Sequence, residues 1–243
     1  MTSVGCCGYP VSRSAYHAAF LTVEIGSAFY ALPRLSTVQR WRDEAPEGFV
    51  FALKAWQPVT HPHTSPTYRR LRPAMDRNAL ARCGHFKPTD EVRSAWERTL
   101  EVSEALGARF VLFQTPASFY PGSNHLRDMY AFFKRARRGE ASFVWETRGG
   151  WEDRLVRRVC SDLGLIHGLD PLRGAPQHGS VRYYRLQGRV EGRRIVYGHD
   201  YSDAELRELL ERCRGREAYV YFNNTEMWRD ARRFRDLTAT TDI

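Results

Sequence analysis

An α/β fold whose eight parallel strands close into a single barrel is predicted from three observations. Eight short apolar segments recur along the 243 residues, and helical patterns separate most of them. Several of these segments also carry a bulky apolar set on one face and end in a polar residue on the other.

The segments come in order. Val4-Gly5-Cys6-Cys7-Gly8 reads as a buried strand entering a glycine turn, followed by Phe20 to Gly26, Phe49 to Lys54, Phe110 to Gln114 and Ser142 to Glu146. Leu165 to Leu169, Val181 to Leu186 and Ala218 to Phe222 complete the set. Between them, Ser36 and Gln39 have capping-box spacing. Glu91 to Leu106 aligns Val92, Trp96, Leu100 and Ser103 on one stripe closed by Gly107. Leu155, Val159 and Leu163 form another stripe, closed by Gly164. Ser202 and Glu205 repeat the capping box before Leu206, Leu209 and Leu210.

Strand parity sharpens the prediction. Leu21, Val23 and Ile25 oppose Thr22 and Glu24; Phe49, Phe51 and Leu53 oppose Val50, Ala52 and Lys54. Val111 and Phe113 oppose Leu112 and Gln114, while Phe143 and Trp145 oppose Val144 and Glu146. The bulky faces suit a covering of helices, and the opposite faces suit an interior that opens into a polar mouth. No low-complexity linker divides the chain, so residues 1–243 are expected to form one domain. The connection 55–88 is long enough to cover the mouth.

Hydrophobic residues make up 42% and aromatics 13%, which excludes a mostly disordered protein. No apolar run reaches the roughly 20 residues needed to cross a bilayer, and Met1 to Pro10 lacks a charged region before an apolar stretch. A cytoplasmic protein without a membrane partner is therefore expected. The net charge is +9, and arginine supplies nearly all of the positive charge, Lys54, Lys87 and Lys134 being the only lysines. Guanidinium groups favour anionic partners. The five cysteines have no CxxC spacing and are expected to be reduced thiols.

Strand-end residues define the candidate site: Glu24, Lys54, Glu146 and Arg148 as catalytic groups, and Tyr30, His61, Gln114, Arg185 and Asn223 as substrate contacts. Glu24, Glu146 and Asp170 offer hard oxygen ligands for Mg²⁺ or Mn²⁺. A purely structural ionic network accounts for the same carboxylates. Tyr68 with Arg69, Arg70 and Arg72 combines charge with a stacking surface for nucleic acid. Neither the dinucleotide fingerprint nor the ATP phosphate loop is present.

Further segments carry a family resemblance. Gly5-Cys6-Cys7-Gly8-Tyr9-Pro10, Val23-Glu24-Ile25-Gly26-Ser27-Ala28-Phe29-Tyr30 with Pro33, and Phe49 to Lys54 with Thr60-His61 occur in order. Gln114-Thr115-Pro116-Ala117-Ser118-Phe119, Trp145-Glu146-Thr147-Arg148 with Trp151, and Tyr221-Phe222-Asn223-Asn224 follow. Together they resemble the YecE-like family, domain of unknown function family 72, across about Gly5 to Phe234. The resemblance implies a TIM-barrel-like (β/α)8 domain and no established reaction. Gly149 and Gln187 depart from it, since many relatives place histidine at both positions.

The function expected from these readings is that of an enzyme, a metal-assisted hydrolase, acting on a phosphorylated or nucleic-acid phosphodiester substrate. The alternatives are a non-catalytic nucleic-acid-binding protein and an anionic-metabolite-binding protein.

Overall fold

The computed structural model describes residues 1–191 and 194–241. The chain runs β1 (Thr2–Cys6), α1 (Arg13–Ala19), β2 (Thr22–Ile25), α2 (Leu35–Glu44) and β3 (Val50–Lys54). The long third connection carries α3 (Gln57–Thr60), α4 (Arg77–Ala81) and α5 (Asp90–Leu106). Then come β4 (Ala108–Gln114), α6 (Ser123–Arg135), β5 (Ser142–Glu146), α7 (Asp153–Leu163), β6 (Ile166–Leu169) and β7 (Arg182–Leu186). A small antiparallel hairpin, β8 (Arg189–Glu191) and β9 (Arg194–Val196), precedes α8 (Asp203–Cys213), β10 (Ala218–Phe222) and α9 (Met227–Thr241).

Eight strands form one parallel sheet in the order β1-β10-β7-β6-β5-β4-β3-β2. The two ends of that order, β1 and β2, stand side by side, so the sheet curls into a barrel. This is the predicted α/β, TIM-barrel-like fold. No backbone ladder joins β1 to β2 among the described residues. Instead, the Tyr16 hydroxyl of α1 accepts from Cys6 N–H at 2.7 Å and donates to the Thr22 carbonyl at 2.9 Å. Gly5 permits this approach, because a Cβ there would lie 2.2 Å from the Thr22 carbonyl oxygen.

The faces sort as the parity predicts, except for Leu21, which lies ahead of β2 and is exposed. Val23, Ile25, Phe51 and Leu53 pack with helix residues such as Val38, Val102 and Leu106. Val111, Phe113, Phe143 and Trp145 pack with Trp96, Leu100, Phe133 and Val159. Ala52, Phe110, Leu112, Val144, Ile166, Tyr183 and Tyr221 fill the interior. Their dense aromatic layer makes the barrel a packed core below the mouth.

Boundaries shift where pairing decides them. β1 begins at Thr2 and stops at Cys6, where its pairing with β10 ends. β2 begins at Thr22, with Leu21 62% exposed. Gly107 and Gly164 end their helices in the left-handed conformation, as their positions predict. The Ser202–Glu205 capping box forms. The Ser36–Gln39 box does not: α2 starts at Leu35 behind Arg34, which leaves Ser36 inside the first turn rather than at the N-cap. Gln39 instead donates to Asp43 at 3.1 Å.

Candidate functional site

Parity and register place one polar layer above the aromatic interior. Two residues beyond Ala52, Leu112 and Val144 on the same faces stand Lys54, Gln114 and Glu146; Glu24 and Arg185 join them from β2 and β7. Arg185 is the hub. Its Nε and Nη2 donate to Glu24 Oε2 and Oε1, each at 2.8 Å, and its Nη1 donates to Glu146 Oε2 at 2.6 Å. Tyr183 from the layer below adds its hydroxyl to Glu24 Oε2 at 2.9 Å.

Glu24 is fully buried, and Glu146 is almost so. Glu146 Oε1 receives Gln114 Nε2 at 3.0 Å, Gln187 Nε2 at 3.1 Å and the Arg148 guanidinium at 2.9 Å. Burial pushes the Glu146 carboxyl up, but Arg148 and Arg185 outweigh it and hold the group at about 2. Burial pushes Arg185 down, and Glu24 and Glu146 lift it well above its ordinary value. Glu146 is therefore ionised, and every oxygen of both carboxylates faces a donor.

Beside them stand two more cations. Lys54 is half-buried; its Nζ lies 4.0 Å from the centre of the Phe29 ring and donates to Gln114 Oε1 at 2.5 Å. Burial, then Arg185, lowers its pKa to about 7, with Arg148 adding to the effect against Glu24 and Glu146. Arg148 is half-buried, and its Nε is buried without an acceptor among the described residues.

The remaining predicted residues lie around this centre. His61 is buried edge-on against Phe29, with Nδ1 at 2.8 Å from Thr60 Oγ1. Burial, with help from Lys54, His85 and Arg148, lowers His61 to about 2, so its imidazole is neutral. Asn223 is half-buried at the end of β10, tied by its N–H to the Leu186 carbonyl at 2.7 Å. Asp170 holds the Leu172 N–H at 3.1 Å and Arg173 at 3.1 Å, and burial raises it to about 6. Tyr30 lies under the Arg70 guanidinium, 3.7 Å from its ring centre.

The expectation that Glu24, Glu146 and Asp170 jointly hold Mg²⁺ or Mn²⁺ finds no support in this geometry. Among the described residues no group of three or more His, Cys, Asp or Glu side chains is arranged to hold a metal ion. All four oxygens of Glu24 and Glu146 already face donors, and Asp170 is engaged by its own arginine.

The connection after β3 packs back onto the segment after β2. Arg72 N–H donates to the Tyr30 carbonyl at 2.9 Å, and Ala31 bridges Arg72. Tyr68 donates its hydroxyl to the His61 carbonyl at 2.8 Å and packs against the core, which occupies the ring expected to stack on bases. Arg69, Arg70 and Arg72 are exposed and lack an acidic partner within 4.0 Å among the described residues.

Sequence reasoning missed Tyr183, Gln187 and Phe29 as parts of the site. Tyr183 and Arg185 lie two apart on one strand and hence share a face, a signal that was available. Gln187 is one of the two positions that depart from the family pattern, and it touches Glu146. At the other, a Cβ on Gly149 would sit 2.6 Å from the Phe119 carbonyl oxygen, so this loop accepts no side chain without moving.

The model of the family described as "Protein of unknown function DUF72" matches residues 12–242. The chain belongs to the DUF72 family. A DUF72 protein from Enterococcus faecalis is 16% identical with a TM-score of 0.72, the match covering 100% of this chain and 98% of that one. A DUF72 protein from Thermotoga maritima is 18% identical with a TM-score of 0.68, covering 98% and 99% of the two chains. Endonuclease IV from Thermus thermophilus is 13% identical with a TM-score of 0.57, covering 98% and 99%. At these identities the likeness is one of fold. No curated protein matches the chain. No helix among the described residues is long and apolar enough to cross a membrane.

Proposed function

We propose that the mouth of this DUF72 barrel is an anion-binding active site that receives the phosphate or carboxylate group of a small substrate on Arg148 and Lys54. One observation carries the reading: Arg148 spends one arm on Glu146 while its Nε is buried with no acceptor among the described residues. A buried donor without a partner is costly, and an incoming oxyanion supplies what it lacks. Charge balance supports the same conclusion. Arg185 and Arg148 offset Glu24 and Glu146, so a protonated Lys54 leaves the layer with one positive charge in excess. Barrel enzymes assemble sites at the C-terminal ends of their strands, where these side chains stand. Similarity in fold to an endonuclease, a D-tagatose 3-epimerase-like protein and a xylose isomerase domain protein supports catalysis without choosing a reaction.

Calorimetric titration with inorganic phosphate, sugar phosphates and small carboxylates tests the reading. Binding that Arg148→Met abolishes is expected; binding unchanged in that variant overturns it.

A second reading rests on Arg69, Arg70 and Arg72, exposed and without acidic partners on the connection that packs beside Tyr30. They extend the anion site toward a nucleic-acid phosphodiester, with the Arg70 guanidinium plane stacked on Tyr30. Affinity for single-stranded nucleic acid that falls steeply with salt, and falls less steeply in the triple alanine variant, supports this reading; no binding at low salt removes it.

A further inference from the structure

The chain carries 37 lysine and arginine residues, and only Lys54, Lys87 and Lys134 are lysines. One of the three stands at the centre of the mouth. Arginine serves as a fixed cation nearly everywhere else, but it cannot shed its proton to become a nucleophile. Lys54 stands beside the guanidinium groups of Arg148 and Arg185, and of the three only its amine can give up a proton.

The surroundings of Lys54 agree. Among the described residues no carboxylate lies within the 4.0 Å of an ion pair. Its Nζ rests over Phe29 and meets only the amide oxygen of Gln114. Arg185 and Arg148 occupy the same layer and disfavour a further positive charge, with Glu24 and Glu146 turned toward them. An amine that is desolvated and set among cations is the arrangement that activates a lysine nucleophile. The other two lysines differ: Lys87 donates to the Ala81 carbonyl, and Lys134 sits at an exposed helix end near Tyr130.

We propose that Lys54 is a nucleophile that forms an imine with the carbonyl carbon of an aldehyde or ketone substrate, whose anionic group is held by Arg148. This rests on the anion-binding reading and adds the chemistry of the same site. The Nζ lone pair attacks the carbonyl carbon, a C–N bond forms, and the C=O π electrons move to oxygen. A proton passes from nitrogen to that oxygen, giving a carbinolamine. Loss of the hydroxyl with a second nitrogen proton, as water, leaves C=N. Amine and carbonyl become imine and water with no change of oxidation state. Protonated, the imine is an electron sink for breaking a bond at the adjacent carbon, and the substrate's own anion offsets its charge.

The test uses the intact protein and pyridoxal 5′-phosphate as a phosphate-bearing aldehyde, trapped at neutral pH with sodium borohydride and mapped by peptide mass spectrometry. Lys54 should be modified at least about tenfold faster than Lys87 or Lys134, because the free-amine fraction governs attack. Modification should fall with inorganic phosphate, with pyridoxal lacking the phosphate, and in Arg148→Met. Lys54→Arg, which keeps the charge but removes the amine, should lose the adduct. Calorimetric phosphate binding with Lys54 labelled no faster than the other two lysines overturns the imine and leaves the anion site standing. Fast Lys54 labelling that is equal with pyridoxal and indifferent to phosphate supports the nucleophile and overturns the anion site.

Discussion

Two halves of the polar layer contain similar groups in opposite states. In one, Arg185 sits between Glu24 and Glu146 with every carboxylate oxygen facing a donor. In the other, Lys54 has no carboxylate within 4.0 Å among the described residues and Arg148 has a donor to spare. The contrast separates charges that hold the barrel together from charges left available to a ligand. A buried ion pair alone says little about catalysis; the neighbour that is not satisfied says more.

The largest effect expected from that contrast is on stability. Arg185→Met leaves Glu24 buried without its counter-ion and Glu146 with Arg148 alone, and should cost about 3–5 kcal/mol in denaturant unfolding, or prevent folding. If the variant unfolds with the wild type, the Arg185 network is not the structural one. Arg148→Met should behave in the opposite way. Glu146 keeps its bond to Arg185 in this variant, so stability should fall less than in Arg185→Met, while phosphate binding by calorimetry should drop beyond detection.

A pH series sharpens the comparison at Lys54. Its pKa stands at about 7 in the folded chain against an ordinary 10.5. Between those values the unfolded chain holds a proton that the folded one has released, so stability should rise as pH climbs through the window. Lys54→Met should remove that rise in thermal unfolding. Anion affinity should move the other way, weakening as pH passes about 7 and the amine loses its charge. The smallest effect concerns the connection: replacing Arg69, Arg70 and Arg72 with alanine should change stability by no more than about 0.5 kcal/mol and leave phosphate binding at the mouth intact.

Much of the barrel was legible because strand parity is a local property. Val23, Ile25, Phe51 and Leu53 announce a helix-covered face without reference to any partner. The same parity brought Glu24, Lys54, Gln114 and Glu146 to one end. What stayed hidden depends on register and distance along the chain. Arg185 and Glu24 are 161 residues apart, and nothing local states that one guanidinium grips both oxygens of the other side chain. Whether Lys54 meets a carboxylate or an amide is likewise decided by a fraction of a strand's rise. The capping-box spacing of Ser36 and Gln39 misled for a related reason: spacing marks a cap only when the helix begins where the motif does, and Arg34 opens this one.

Tyr16 carries a mechanical consequence. Seven junctions of the rolled sheet are stitched by repeated backbone bonds, whereas at the eighth, among the described residues, the Tyr16 phenol takes one bond from each side. Arg185 spans the same seam higher up, between Cys7 Sγ and Glu24. One oxygen is thus shared property of two strands that exchange no ladder, and removing it severs both of its links at once.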